Sequence, residues 1–225
     1  MSEVLHDTSI TLAGHDFRLL PERAVFWPER AWLLVADTHW GKCQTLRDAG
    51  AAVPSGPLLA DLDRLRLVAH RTEATRVIIL GDLVHGPSSL APGMDELIRD
   101  WRPSLDCELA MVPGNHDRVI ASPRGLGRLA AWQIELLPAV LELDGFRLMH
   151  EPPNMAGPAT LCGHVHPAVR MRGRGESMKL PCFWHDRAYN TLVLPAFSSL
   201  VDGAVVKAEP GDDRWAIAGQ RVMSV

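Results

Sequence analysis

Five short apolar runs in this chain each end in side chains that can bind a metal ion. In chain order these side chains are Asp37 with His39, Asp82, Asn115 with His116, His150, and His164 with His166. In open α/β sheets the functional crevice lies at the carboxyl ends of the strands, so ligands placed there can meet at one edge. The pattern therefore predicts an α/β fold with a metal centre at the ends of its strands.

Length and composition favour one soluble globular domain. With 225 residues, 47% of them hydrophobic, the chain suffices for one substantial core but is short for two full domains, so we expect a single domain over residues 1–225. It has no apolar run long enough to cross a membrane, and residues 1–7 are acidic where a signal peptide would be basic and apolar. We therefore expect neither export nor membrane insertion.

Cysteine spacing and charge narrow the setting further. The four cysteines are far apart and form no Cys-x-x-Cys pair, which favours a reducing cytoplasm over a disulfide framework or a thiolate zinc site. The formal net charge of −4 gives no global attraction to nucleic acid. Any binding to nucleic acid must then come from a local basic patch.

Hydrophobic periodicity predicts alternating strands and helices after an opening hairpin. The hairpin is expected over 10–25 with its turn at 14–16, and buried strands are expected at 32–36, 77–80 and 109–112. Helices are predicted at 57–70, 94–101 and 125–132, and further strands at 146–149, 159–162, 191–194, 204–207 and 215–218. The segment 170–187 loses this periodicity and becomes basic, which predicts a loop insertion.

The candidate ligands can be divided between two divalent cations. Asp82 can present one carboxylate oxygen to each cation; Asp37, His39 and His166 could complete one site, and Asn115, His150 and His164 the other. Mixed nitrogen and oxygen donors suit manganese, iron(II) or zinc better than magnesium. Two such cations with two carboxylates and a bridging hydroxide carry about +1, which suits an anionic phosphodiester.

This arrangement also predicts a reaction. A hydroxide bridging the cations would be the nucleophile, and the cations would clamp the attacking and leaving oxygens. His116 follows a ligand without being needed as one, so it is the candidate general acid for the departing alkoxide. Asp117 is a candidate partner that orients His116.

The ordered set of motifs resembles the calcineurin-like metallophosphoesterase superfamily. The matching residues are Asp37-Thr38-His39, Gly81-Asp82, Gly114-Asn115-His116-Asp117, His150 and Gly163-His164-Val165-His166. A closer resemblance, to the bacterial ligase-associated DNA damage response endonucleases of the PdeM branch, rests on the segments 37–42, 81–85 and 194–197. Many superfamily members have an aspartate where this chain has His85.

The resemblance implies more than the ligand set does. It implies a four-layer α/β/β/α sandwich with two mixed β-sheets flanked by helices, two manganese ions and phosphodiester cleavage in DNA. Single-stranded DNA is the expected partner, with a functional link to a DNA ligase and a helicase. Hydrolysis of a small nucleotide or a phosphoprotein is the main alternative, because the metals contact only the phosphoryl group. A non-catalytic interaction module of the same fold is the third reading.

Residues outside the ligand set are candidates for contacts with the substrate or for support of the site. Lys42 is expected to contact a substrate phosphate, whereas Trp40 can stack on a base or close the core. His85 can support the site or simply be a loop histidine. The segment 170–187 has five cations against two anions, with Phe183 and Trp184 among them. It can track a single strand, with Arg172 and Arg174 as contacts, or be a solvated loop.

Overall fold

Two mixed β-sheets pack face to face in the computed structural model, which describes residues 5–54, 56–173, 176–207 and 209–225. The first sheet has seven strands in sequence order: β1 (Thr8–Leu12), β2 (His15–Leu20), β3 (Ala24–Trp27), β4 (Trp32–Val35), β5 (Arg76–Leu80), β6 (Glu108–Val112) and β7 (Ile134–Leu136). Neighbours from β1 to β4 are antiparallel, and neighbours from β4 to β7 are parallel.

The second sheet is built from the rest of the chain. Its nine strands are β8 (Val140–Leu143), β9 (Phe146–Met149), β10 (Ala159–Cys162), β11 (Pro167–Gly173), β12 (Glu176–Asp186), β13 (Thr191–Val193), β14 (Ala204–Val205), β15 (Asp213–Ala218) and β16 (Arg221–Ser224). The order is β14-β11-β12-β13-β10-β9-β8, with β15 paired to β12 and β16 to β15. At its centre, β10 runs parallel to both β9 and β13.

Four α-helices complete the part of the chain that the structure describes. They are α1 (Lys42–Asp48), α2 (Gly56–Arg71), α3 (Pro92–Trp101) and α4 (Pro123–Ala131). The last three bury Leu62, Ile98 and Leu129 in one cluster with Leu33 of β4. Leu34 points to the opposite face, into the cluster shared with the second sheet. Because alternate residues of a strand face opposite sides, a fully apolar β4 is what a strand covered on both faces requires.

The architecture confirms the predicted class of two mixed sheets flanked by helices. The predicted buried strands and covering helices are present, with shifts of one or two residues at their ends. The opening turn is at 13–14 rather than 14–16, and β3 extends the hairpin into a meander. The helix α1 and the strands β7, β8 and β16 were not predicted.

The prediction of a loop insertion over 170–187 is wrong. This segment forms most of β11 and β12, which pair in antiparallel register with Val169 opposite Leu180. Val169 and Cys182 are buried in a small cluster with Ala216, whereas Met171 and Met178 nearer the tip are 39% and 60% exposed. The apolar positions at the exposed end gave no clean alternation, so hydrogen bonding to the neighbouring strands, rather than local pattern, decides the structure.

No helix of the described residues is long and apolar enough to span a membrane.

Candidate metal centre

Parallel strands of the first sheet deliver three candidate ligand groups to one edge. The strands β4, β5 and β6 end just before the loops that carry Asp37, Asp82 and Asn115. The Asp37 N–H donates to the Gly81 carbonyl at 3.1 Å, and the His39 N–H donates to the Asp82 carbonyl at 2.9 Å. The loops therefore continue side by side beyond the sheet, which fixes their side chains relative to one another.

The second sheet contributes the remaining candidates in the same way. The parallel strands β9 and β10 end before His150 and before the pair His164 and His166. The Gly163 N–H donates to the His150 carbonyl at 3.0 Å. The His164 N–H donates to Asp37 Oδ2, also at 3.0 Å. This last bond crosses between the sheets, so the centre is assembled by their packing.

Most of the candidate ligands have strained backbones. Five of the seven adopt positive φ in the left-handed region that non-glycine residues avoid: Asp37 (57°), His39 (46°), Asp82 (52°), His164 (68°) and His166 (52°). Such conformations cost about 1–3 kcal/mol each and persist where the surrounding structure enforces them. Their concentration at one edge marks a functional site.

One group of donors consists of Asp37, His39 and His166. Asp37 Oδ1 lies 3.2 Å from His166 Nε2, and the two histidine Nε2 atoms are 3.5 Å apart. All three offer ligand atoms within 4.8 Å of one another. Burial, with smaller contributions from neighbouring Lys42 and His166, lowers the pKa of His39 to about 2, so this ring presents a lone pair.

The second group consists of Asn115, His150 and His164. Asn115 Oδ1 lies 2.9 Å from both His150 Nε2 and His164 Nδ1. His150 Nδ1 is 3.0 Å from the Leu80 carbonyl, which can only accept, so a neutral His150 ring has its lone pair on Nε2. That lone pair faces the lone pairs of the Asn115 oxygen. A cation between them satisfies both, which is the fit that a metal site requires.

Asp82 lies between the two groups. Its Oδ2 is 3.8 Å from His39 Nε2, and its Oδ1 is 3.4 Å from His150 Nε2. Asp82 and Asp37 are 1% and 0% exposed, and their ion-pair partners among the described residues are histidines only. Burial raises the pKa of Asp82, and the nearby Asp37 raises it further. Bound cations would supply the missing positive charge.

Close approach of the two sheets depends on glycine. A Cβ built on Gly81, whose φ is +75°, would lie 2.3 Å from His150 Nδ1. At Gly163 a Cβ would lie 2.5 Å from Asp37 Oδ2. Both positions precede or flank candidate ligands, so a side chain there would push those ligands away from the centre.

His116 lies at the exposed rim of the centre, against His85. Their rings stack with centroids 4.9 Å apart and an interplanar angle of 16°. His116 Nδ1 lies 3.2 Å from the His85 carbonyl, so Nδ1 donates and Nε2 is left for another partner. His85 Nδ1 is also 3.4 Å from His39 Nδ1. The structure thus brings His85 into the site, where the sequence left open whether it was a plain loop residue.

Asp117 does not have the position expected of a partner for His116. Its carboxylate is 3% exposed and accepts hydrogen bonds from the backbone N–H groups of Gly114 (2.9 Å), Val84 (3.0 Å) and Leu83 (3.3 Å). Burial raises its pKa to about 6. Asp117 ties the loop after β5 to the loop after β6, and the ring that packs against His116 is that of His85.

The two candidates next to His39 have different environments. Trp40 is 1% exposed and packs edge-on against the rings of Trp101 and Trp132 at 5.9 and 6.0 Å. Of the two roles left open for Trp40, this burial fits closure of the core and not stacking on a base, because a base cannot reach the ring. Lys42 is partly exposed at the start of α1, and its charge acts on both His39 and His85. It remains a candidate phosphate contact.

The hairpin formed by β11 and β12 (the basic hairpin) has cations at the surface, whereas its aromatic rings are buried or partly buried. Arg172 is exposed on β11, and Arg174 lies outside the described residues. Phe183 is fully buried, and Trp184 Nε1 donates to Asp212 Oδ2 at 3.0 Å. A base therefore cannot stack on Phe183, whereas Trp184 is partly buried and is tied to Asp212, so the hairpin offers mainly charge.

A family model decides the classification. The model of the calcineurin-like phosphoesterases matches residues 32–166, the part of the chain that contains all seven candidate ligands and His116. The chain belongs to the calcineurin-like phosphoesterase family. It is therefore a metal-dependent phosphoesterase by family, with candidate metal-binding residues in the place where the fold assembles them.

Solved structures include one full-length relative. A Pseudomonas putida nuclease MPE matches with 30% identity and a TM-score of 0.81, over 98% of this chain and 100% of that one. A protein of unknown function from Aquifex aeolicus has 18% identity over 64% of this chain and 81% of that one, with a TM-score of 0.38. A Vps29 variant from Entamoeba histolytica has 16% identity over 86% and 96%, with a TM-score of 0.35. A search of curated proteins gives no match.

Sequence reasoning missed one residue beside the centre. Arg23, in the turn between β2 and β3, lines a pocket together with His166 and Lys179. Its Nη1 donates to the carbonyl of Ala196, 173 residues further along the chain. Arg23 belongs to none of the motifs, so no sequence pattern points to it.

Proposed function

We propose that this protein is a dinuclear metal-dependent phosphodiesterase that cleaves DNA, with His116 as the general acid. The observation that carries the chemistry is the convergence of six donor side chains in two groups on either side of a seventh, Asp82. The choice of DNA is supported by the similarity to the Pseudomonas putida nuclease over essentially the full length of both chains.

The donor set suits two divalent cations. Asp37, His39 and His166 would hold one, Asn115, His150 and His164 the other, and Asp82 would contact both. Mixed nitrogen and oxygen donors suit manganese, iron(II) or zinc better than magnesium, and the sequence resemblance favours manganese among these. When bound, such cations make water a stronger nucleophile at neutral pH and neutralise charge on the phosphoryl group.

His116 is placed to supply the proton that the leaving group needs. Its Nδ1–H is directed at the His85 carbonyl and its ring is exposed, so protonated Nε2 can donate to the departing alkoxide oxygen. Stacking on His85 restricts rotation of the ring. His85 is therefore a positioning residue in this proposal, and His116 touches the substrate.

Lys42 would bind the substrate through its charge. The ammonium group is half buried beside the centre, and burial lowers its pKa. The nearby Asp37 carboxylate opposes that shift. A phosphate oxygen of the substrate would pair with it, which gives binding without a direct part in proton transfer.

Side-by-side substrates test the proposal. The metal-free protein would be reloaded with manganese and offered single-stranded DNA, duplex DNA, a cyclic nucleotide and bis(p-nitrophenyl) phosphate. We expect manganese-stimulated cleavage of the aryl diester and of DNA, with single-stranded DNA preferred. Activity confined to the cyclic nucleotide and the aryl diester would replace DNA by a small nucleotide as substrate.

Two controls separate these outcomes from a contaminating enzyme. Asp82→Asn removes the shared ligand charge, and His70→Ala removes an exposed histidine of α2 that belongs to no candidate site. Cleavage should fall roughly 10³-fold in the first variant and persist in the second. A wild-type protein that binds no metal and hydrolyses none of the four substrates would contradict both enzyme functions and leave a non-catalytic module.

The proposal includes a cellular setting. It places residues 1–225 as a single domain in the cytoplasm, with a functional link to a DNA ligase and a helicase. The sequence resemblance supports this setting. Cells that lack the gene and cells that carry only the Asp82→Asn variant should be equally sensitive to DNA damage.

A further inference from the structure

A pocket of about 280 Å³ adjoins the metal centre on the side of the second sheet. Its wall includes His166, a candidate ligand, together with Pro167 at the start of β11 and the segment 199–203. Two cationic side chains, Arg23 and Lys179, line the same space. Because His166 belongs to both sites, a group held in the pocket lies directly beside the group held at the metals.

Arg23 is fixed in the wall of this pocket. Its backbone is left-handed, with φ of 66°, and Nη1 donates to the carbonyls of Ala196 and Ser198 at 3.3 and 3.0 Å. Among the described residues, hydrogen bonds from this side chain involve Nη1 alone. The pKa of Arg23 is lowered, chiefly by burial and then by the neighbouring Arg64, while Asp61 opposes the shift, so an anion in the pocket would further stabilise the charged form.

Lys179 reaches the pocket from β12 and is paired with an exposed partner. Its Nζ forms an ion pair with Asp202 and lies 3.3 Å from the Gly203 carbonyl. The Asp202 side chain is 89% exposed, against 24% for Lys179. An ion pair with so exposed a carboxylate contributes about 0–1 kcal/mol, so a phosphate can displace it.

Further cationic side chains lie along the hairpin of β11 and β12, next to those that line the pocket. Arg170 pairs with Lys179 across β11 and β12, and Arg172 pairs with Ser177. Directly opposed residues of an antiparallel pair share a face of the sheet, so the two arginines and Lys179 form one row. The row runs from the pocket toward the tip of the hairpin, which is the path that a polyanionic strand would follow.

We infer that this pocket is a subsite for a second phosphate of a polynucleotide, adjacent to the phosphodiester at the metals. Lys179 and Arg23 bind its oxygens, and Asp202 is the group that the phosphate displaces. The inference rests on the proposed DNA cleavage and names what makes that site select a polymer. A cyclic mononucleotide or an aryl diester has one phosphate and leaves the subsite empty.

Steady-state kinetics with two substrates test the subsite. We would compare an oligothymidylate with bis(p-nitrophenyl) phosphate for the wild-type protein, Lys179→Ala and Asp202→Asn. Loss of a charged hydrogen bond predicts that Lys179→Ala raises KM for the oligonucleotide roughly tenfold, with a much smaller effect on the aryl diester. Asp202→Asn should act in the opposite direction and lower that KM about two- to threefold, because the phosphate no longer competes with a carboxylate.

Arg187→Ala is the matched control. Arg187 directly follows the other end of β12 and, like Lys179, forms an ion pair with an aspartate, Asp213. The variant removes the same charge and the same kind of pair, away from the pocket. Kinetics on both substrates should match those of the wild type.

Binding without turnover gives a second readout. Fluorescence anisotropy of labelled oligothymidylate with the EDTA-treated full-length protein measures affinity against salt concentration. Lys179→Ala should lower the slope of log K against log salt by about 0.7, the value for one phosphate contact on a single strand, and Lys179→Arg should restore it. An unchanged slope and KM, or equal losses on both kinetic substrates, would overturn the subsite. Failure of the wild-type protein to cleave DNA would overturn the proposed function instead.

Discussion

The edge of the sheets that carries the candidate ligands (the metal edge) and the hairpin of β11 and β12 (the basic hairpin) differ in how tightly their side chains are held. At the edge, Asp37, Asp82 and His150 are at most 3% exposed and have fixed hydrogen-bond partners. On the hairpin, Arg172 is exposed, and Arg170 makes one long bond of 3.4 Å to Ser177. A metal centre requires ligands in one geometry, whereas a polyanion accepts any arrangement of mobile cations along its path.

This difference explains why the two regions are not equally visible in the sequence. Ligand identity and spacing are narrowly restricted at the edge, so motifs survive there. Cations of the hairpin can be replaced or moved by a residue at small cost, so their pattern is indistinguishable from that of a solvated surface. Variants of both regions can test the contrast between a fixed and a tolerant site.

The largest effect is expected from Asp82→Asn. Loss of the shared carboxylate charge removes several kcal/mol of electrostatic stabilisation, which corresponds to a decrease of roughly 10³-fold in kcat. Metal content should fall from two ions to one or fewer per chain, as measured by atomic emission. The metal-free variant should nevertheless melt at a higher temperature than the metal-free wild type, because a buried charge is removed. A lower melting temperature with full metal content would show that Asp82 is structural.

A smaller, leaving-group-dependent effect is expected from His116→Ala. Removing a general acid predicts a loss of roughly 10²-fold in kcat on DNA, whose alkoxide leaving group needs a proton. The p-nitrophenolate of an aryl diester leaves readily, so the loss there should be under about tenfold. Metal content should stay at two ions, which separates this variant from Asp82→Asn. Equal losses on both substrates would argue against proton donation by His116.

The Gly81→Ala variant tests whether the edge is as rigid as its distances indicate. Gly81 and Gly145 both have positive φ, but a Cβ at Gly81 meets His150 at 2.3 Å and one at Gly145 meets nothing within 4 Å. Backbone strain is common to both alanine variants and costs about 1 kcal/mol. Gly81→Ala should lose a further 1–3 kcal/mol or so of unfolding free energy, together with metal affinity, because His150 must move. Equal denaturation midpoints would show that the edge adapts.

The smallest effect is expected on the hairpin. Arg172→Ala should raise KM for a long oligonucleotide only about two- to threefold and lower the salt slope by about 0.7, since one exposed phosphate contact is lost. Melting temperature and aryl diester kinetics should not change, because Arg172 is exposed on β11. A loss as large as that of His116→Ala would mean that the hairpin is as exacting as the metal edge.

Prediction from sequence succeeded where local pattern and chemistry agree. The strands β4, β5 and β6 are apolar apart from Arg76 and Glu108 at the start of the last two, and a candidate ligand follows each strand after one or two intervening residues. Prediction failed for β11 and β12, because partly exposed apolar residues and dispersed cations mask the alternation. It also gave no decision on Trp40, whose burial depends on Trp101 and Trp132 from distant segments.

The sequence by itself determined which side chains can bind metal, their order along the chain and their positions at strand ends. Those properties follow from bonded neighbours and from the two-residue repeat of a strand. Only the tertiary structure decided that Asp37 receives a hydrogen bond from His164, that the ring of His85 stacks on His116, and that Arg23 meets Lys179 beside His166. These contacts join segments far apart in the chain, so they depend on how the two sheets pack and on no local pattern.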